Sequence, residues 1–183
     1  HPPLAQDRPI TILGLGALGQ ACAAALTALK FPVSGWSRRA KKIDGLTCHH
    51  GPSGLQAALQ SAEILILILP DTPQTEHVIN TQTLAQMPRG AVIINPGRGP
   101  LIDDHALLAA LQQKHISSAC LDVIRVEPFP QDHPYWHLPN VTVTPHIASG
   151  TRPATAAEVL VENIVRGESG APFLHLVDRT AGY

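Results

Sequence analysis

The chain has 183 residues, 44% of them hydrophobic and 15% charged, which is enough for a folded domain with a real core and excludes a low-complexity or disordered polymer. Its 13 Lys and Arg stand against 14 Asp and Glu, for a net charge of −1, so the overall balance points to neither nucleic acid nor a membrane surface and any electrostatic recognition must be local. No apolar run exceeds six residues, far short of the roughly 20 that cross a bilayer. Three widely spaced cysteines, Cys22, Cys48 and Cys120, read as reduced thiols in a cytoplasmic protein.

In chain order, residues 10–13 read as a short apolar strand and 17–29 as an Ala- and Leu-rich helix. Residues 33–36 give a second strand, after which Ser53 is placed to cap a short helix ending at Ser61. Residues 64–69 are apolar throughout, as a strand buried on both faces should be. Strands follow at 91–95, 118–123 and 141–144, with helices at 103–114 and 151–165. Short strands separated by helices predict an α/β fold. It is a doubly wound parallel sheet of the Rossmann kind, covered on both faces and joined by right-handed crossovers. The boundary is expected near Gly150, with residues 1–150 as one domain and 151–183 as a C-terminal helix and tail.

The first strand runs directly into Gly14-Leu15-Gly16-Ala17-Leu18-Gly19 and then a helix, which is the context that gives a GxGxxG pattern its meaning. Gly14 permits a tight turn, Gly16 lets the backbone approach a pyrophosphate, and Gly19 lets the helix lie close on the strand. The phosphates would meet N–H groups at the helix start, at Ala17 and Leu18. A glycine turn used only for packing is the plain alternative.

After the second strand, where an Asp or Glu would hold the ribose hydroxyls of NAD, the chain offers Trp36-Ser37-Arg38-Arg39. A serine hydroxyl can donate to a phosphate oxygen, and the Arg38 fork suits phosphate geometry. The expectation is NADP(H) over NAD. A solvated basic turn is the alternative, since Lys41 and Lys42 continue the charge run.

Three ionisable residues sit in motifs at strand ends: Arg98 in Asn95-Pro96-Gly97-Arg98-Gly99, Glu127 before Pro128, and His146 after Pro145. Ligands of open α/β sheets gather at the carboxyl ends of strands. Arg98 can grip a carboxylate in two-pronged fashion. His146 can give a proton to a carbonyl oxygen, and Glu127 can orient the imidazole and favour its protonated form. Each has an ordinary reading alone, as a loop charge, an exposed turn or one of ten histidines.

The glycine loop, LPDTPQT from Leu69, NPGRGPLID from Asn95, LDVIRVEPFP from Leu121 and TPHIA from Thr144 occur in one order. Together they resemble the NAD(P)-dependent D-2-hydroxyacid dehydrogenases over nearly the whole chain. The WSRR turn and the ending VDRTAGY look most like the bacterial glyoxylate/hydroxypyruvate reductases of the A type. The resemblance implies hydride transfer from NADPH to a small 2-oxo acid, with Arg98 binding substrate, His146 as acid/base and Glu127 as its partner. It places Asp122 near the nicotinamide carboxamide, Leu69, Pro70 and Thr75 beside the adenosine, and Pro96, Gly97, His146 and Ala148 along the cofactor. No metal site is expected. Pro96 and Gly97 replace the small residues usual before the family's arginine.

The resemblance also implies a homodimer through the cofactor domain, by way of residues 128–139. There Tyr135 and Trp136 read equally as interface anchors or as ordinary internal packing. The chain starts without Met, just before the first cofactor-domain strand. The family's N-terminal substrate domain is therefore expected to be missing, the fragment is expected to turn over poorly, and Pro172, Phe173, Leu174, Leu176 and Val177 are expected to lack a cover. The alternatives are a 3-phosphoglycerate or D-lactate type of dehydrogenase, or a dinucleotide-sensing binding protein of the same fold.

Overall fold

The computed structural model describes residues 3–179. Residues up to His146 form one compact unit and those from Ile147 a second.

The first unit is built on seven strands: β1 (Ile10–Leu13), β2 (Val33–Ser37), β3 (Thr47–His50), β4 (Ile64–Leu67), β5 (Ala91–Asn95), β6 (Ile116–Leu121) and β7 (Val141–Val143). They make one sheet in the order β3-β2-β1-β4-β5-β6-β7, and every neighbouring pair is parallel. Strand order reverses between β1 and β4, so the two flanks of the sheet grow in opposite directions from that pair. The crevice at its carboxyl end is where such sheets take their ligands.

Side chains alternate across the pleat and two cores result. Leu13, Leu65, Leu67 and Ile93 pack with Ala58 and Leu59 of α2 (Gly51–Gln60) and with Leu107 and Leu111 of α4 (Asp104–Gln112). Ile12, Ile64 and Ile66 pack on the other face with Ala23 of α1 (Ala17–Ala28). Each fully buried Leu or Ile contributes about 1.5–3 kcal/mol. All four residues of β4 are buried, as a central strand covered on both faces requires. The doubly wound parallel sheet is thus the observed fold.

Several element limits differ from expectation for physical reasons. Strand β3 reads Thr47-Cys48-His49-His50; it is an edge strand with exposed ends, and edge position leaves no apolar alternation to read. The four-residue α3 (Thr81–Leu84) is held by reciprocal Asn80 and Thr83 capping. Helix α2 starts at Gly51 with His50 as its cap residue, which puts Ser53 inside the first turn and not at the cap. Strand β6 begins two residues early because a register shift next to Ala91 pairs Ile116 with Ala91 but Ser118 with Val92. In α4 the Asp103 carboxylate accepts the N–H groups of His105 and Ala106.

Tyr135 proves to be internal packing. It is 1% exposed and its phenol donates to Asp104 Oδ1 at 2.9 Å. Trp136 beside it is 51% exposed, with its indole donating to the Pro130 carbonyl at 2.9 Å.

The second unit holds α5 (Pro153–Ser169), closed by Gly170 in the left-handed region at φ +69°. No residue of α5 is buried. From within α5, Asn163 bonds both main-chain groups of Leu174 in the tail, while Phe173, Leu176 and Val177 are exposed.

Candidate active site

The glycine loop leaves β1 at the strand-order reversal. Gly14 has φ +111°, and a Cβ there would lie 2.3 Å from the Ile68 carbonyl oxygen. A Cβ on Gly19 would lie 1.8 Å from the Gly14 carbonyl oxygen. Both positions therefore tolerate only glycine. Gly16 differs: a Cβ there would meet nothing within 4 Å. The residue is exposed, as are Ala17 and Leu18, and it caps α1 without a side-chain hydrogen bond. The first N–H groups of a helix lack intrahelical acceptors. Closed glycines on either side of an open one leave a backbone ledge at a helix N-terminus, the cradle a pyrophosphate requires. These residues fit a dinucleotide.

The end of β2 reaches the same edge. Trp36 and Ser37 are buried, and the Trp36 indole donates to the Gly51 carbonyl at 2.8 Å. Ser37 Oγ donates to the Arg39 carbonyl at 2.8 Å, so its proton holds the basic turn in shape. Arg38 is exposed on that turn. Lys41 adds a link that the sequence did not disclose: its ammonium donates to the Leu15 carbonyl at 2.6 Å, joining the basic turn to the glycine loop. Beyond β4, Leu69 is buried, and Thr75 Oγ1 donates to the Pro70 carbonyl at 2.7 Å.

At the other flank Glu127 and His146 meet. His146 Nδ1 lies 2.9 Å from Glu127 Oε2, and Glu127 Oε1 accepts the Ile124 N–H at 3.2 Å. An ionised carboxylate only accepts, so Nδ1 carries the proton and Nε2 is the ring nitrogen left for chemistry. The hydrogen bond from His146 and that from Ile124 hold the Glu127 carboxyl below the usual carboxylate range, against some desolvation.

The His146 backbone is left-handed at φ +54°, and its N–H donates to the Asp122 carbonyl at 2.9 Å. A non-glycine residue in this region stores strain of order 1–3 kcal/mol, a cost that surrounding structure must offset. Asp122 is 7% exposed and accepts a hydrogen bond from Thr144. Beside the pair lies a cavity of about 460 Å³, with Asp122, Glu127 and His146 at its polar edge and Phe129, Trp136 and Val143 among its apolar walls.

Arg98 stands at the carboxyl end of β5, exposed and in extended backbone. Its guanidinium donates to the Gly97 carbonyl at 2.7 Å. Pro96 and buried Gly97 form the turn leading to it. The main chain of β5 reaches the His146 flank directly, since the Asp122 N–H donates to the Asn95 carbonyl at 3.0 Å. Ala148 is exposed and belongs to the second unit.

The family model for the D-isomer specific 2-hydroxyacid dehydrogenase, NAD binding domain, matches residues 3–148. The chain belongs to this family. A glyoxylate/hydroxypyruvate reductase A of Serratia proteamaculans is 42% identical over 182 residues, 99% of this chain and 58% of the relative. Among solved structures, a D-isomer specific 2-hydroxyacid dehydrogenase of Xanthobacter autotrophicus in complex with NADPH and MES is 48% identical with TM-score 0.97, over 100% of this chain and 76% of that one. An NADPH-dependent glyoxylate/hydroxypyruvate reductase of Sinorhizobium meliloti in complex with NADP and sulfate is 36% identical with TM-score 0.95, over 99% of this chain and 58% of that one. The chain thus spans a little over half the length of the curated 2-hydroxyacid dehydrogenases that it matches.

Proposed function

We propose that the chain provides the cofactor-binding and proton-transfer part of an NADPH-dependent reductase that converts a small 2-oxo acid, glyoxylate or hydroxypyruvate, to the 2-hydroxy acid, in the D form where the product is chiral. The observation that carries this is the Glu127–His146 pair, standing at the same sheet edge as the glycine ledge and the Arg98 turn. The NADPH and NADP carried by the Xanthobacter and Sinorhizobium structures support the choice of cofactor.

In this reading Gly16, Ala17 and Leu18 present backbone N–H groups to the pyrophosphate, between Gly14 and Gly19. Arg38 neutralises the 2′-phosphate from the turn that Trp36 and Ser37 hold in place. Leu69, Pro70 and Thr75 border the adenosine side, while Pro96, Gly97 and Asp122 line the rest of the cofactor. Bound NADPH supplies the hydride for the oxo carbon. Arg98 binds the substrate carboxylate, and two-pronged binding fixes which way the oxo group faces. His146 Nε2 gives its proton to the oxo oxygen. Glu127 holds the ring through Nδ1 and stabilises the positive charge that the ring carries before it donates.

A homodimer through residues 128–139 belongs to the same reading, supported by the half-exposed Trp136. So does a cytoplasmic location, supported by three free cysteines.

Two variants test the proposal. In the full-length reductase that contains this chain, His146→Asn should reduce turnover of glyoxylate and hydroxypyruvate by about 10²–10⁴-fold, with NADPH affinity within about twofold of the parent by fluorescence titration. Arg38→Ala should weaken NADPH by about tenfold or more and leave NADH unchanged. Equal affinity of the parent for NADPH and NADH would overturn the cofactor choice. Parental turnover in His146→Asn would overturn the proton donor.

A further inference from the structure

We infer that Asn95 is the positioning residue of the oxo-acid site, through which the turn carrying Arg98 is fixed in register with the segment carrying Glu127. The inference rests on the role proposed above for Arg98.

Asn95 is the last residue of β5 and is 1% exposed. A buried carboxamide must satisfy both its ends or destabilise the fold. Here both ends go to the Arg98 turn. Oδ1 accepts the Gly97 N–H at 3.1 Å, and Nδ2 donates to the Arg98 carbonyl at 2.9 Å. The side chain therefore bridges the residues before and at the arginine, doing what a ladder partner does inside a strand. Its main-chain carbonyl accepts the Asp122 N–H at 3.0 Å. One residue thus ties the Arg98 turn to the first residue after β6.

Steric contacts complete the fit. A Cβ on Gly97 would lie 2.7 Å from the Leu67 carbonyl oxygen, and one on Gly99 would lie 2.0 Å from the Ile124 carbonyl carbon. The turn is wedged between the end of β4 and the 124–125 segment. Ile124 then gives its N–H to Glu127 Oε1. Arg98 and the Glu127–His146 pair are thus placed relative to one another by backbone contact, and the Asn95 amide decides the path of that backbone. This also accounts for Pro96 and Gly97. Pro96 has no N–H to place, and Gly97 comes too close to β4 for a side chain.

Asn95→Asp keeps the acceptor for Gly97 but turns a carboxylate oxygen toward the Arg98 carbonyl, where the parent has a donor. Asn95→Ser is uncharged, too short to span both groups, and serves if the aspartate variant does not fold. With folding confirmed by circular dichroism, either variant in the full-length reductase should raise KM for glyoxylate by about tenfold or more, and by severalfold more than it weakens NADPH, which meets the same turn at Pro96 and Gly97. In an Arg98→Ala background the same change should cost almost nothing more, because its effect passes through that arginine. An equal loss in both backgrounds, or a loss of NADPH affinity matching the rise in KM, would overturn the inference.

Amide exchange of the parent supplies a readout that needs no turnover. The Gly97 N–H should exchange as slowly as those of β5, and at least tenfold faster in Asn95→Ser. If the full-length reductase that contains this chain reduces no 2-oxo acid, the functional proposal fails while this exchange result still stands. A Gly97 amide as fast as an exposed loop would refute the positioning role in either case.

Discussion

Tyr135 shows how one residue can be read two ways from sequence and one way from structure. An aromatic in a proline-rich loop serves equally as an interface anchor or as internal packing. Burial and the Asp104 bond decide for packing. Burial first, and then the Asp104 carboxylate, push the phenol far above the usual tyrosine range. A folded-state pKa above the unfolded value, about 10, means the unfolded chain loses this proton first. The stability it contributes is therefore complete below about pH 10 and declines above it, by up to about 1.4 kcal/mol per pH unit. Tyr135→Phe should cost about 1–2 kcal/mol at pH 7, a fall of roughly 2–8 °C in Tm. The variant should also lose stability less steeply than the parent between pH 10 and 11. Parallel slopes in a denaturant series would show that the phenol ionises freely. The Glu127–His146 pair was legible in sequence because its members occupy motifs at adjacent strand ends. The Asn95 bridge and the Lys41 link to Leu15 were not, because a hydrogen bond to a carbonyl leaves no pattern in side-chain identity.

Elements were legible where the pleat forces alternation or burial. Strands β1 and β5 fall where their apolar runs do, since a central strand must be apolar on both faces. Strand β3 and helix α3 escaped notice because one is a polar edge and the other a single capped turn. The glycine loop separates two roles that sequence merges. Gly19→Ala would place a methyl group 1.8 Å from the Gly14 carbonyl oxygen. It should lower Tm by several degrees or prevent folding, through the mechanism by which overpacking destabilises a core. Gly16→Ala meets no atom within 4 Å, so its Tm should stay within about 3 °C of the parent. On the proposed assignment of Gly16 to the pyrophosphate, NADPH affinity should still fall, because the added methyl group would obstruct that approach. Thermal melts with and without NADPH distinguish the two. A Gly16→Ala protein with parental affinity would show that the ledge is not the phosphate site.

For the whole molecule, stability is expected to be uneven. The seven-stranded sheet holds two cores, whereas α5 buries none of its residues and leaves Leu160, Val161 and Ile164 exposed. Helices without packed faces are marginal in water, and regions with few buried contacts open at low cost. Hydrogen exchange of the chain should therefore show amides of β1, β4 and β5 protected to the global limit, while those in α5 exchange at least a hundredfold faster. Equal protection would mean that α5 is held by contacts that its exposed face does not reveal.

The closeness of Gly99 to the Ile124 backbone has a bearing on how members of this family can be re-engineered. Two loops that touch without room for a methyl group must be inherited together. A chimera that borrows the arginine loop from one homologue and the glutamate loop from another should inherit a collision, so substrate preference should be transplantable only when both are moved as a pair.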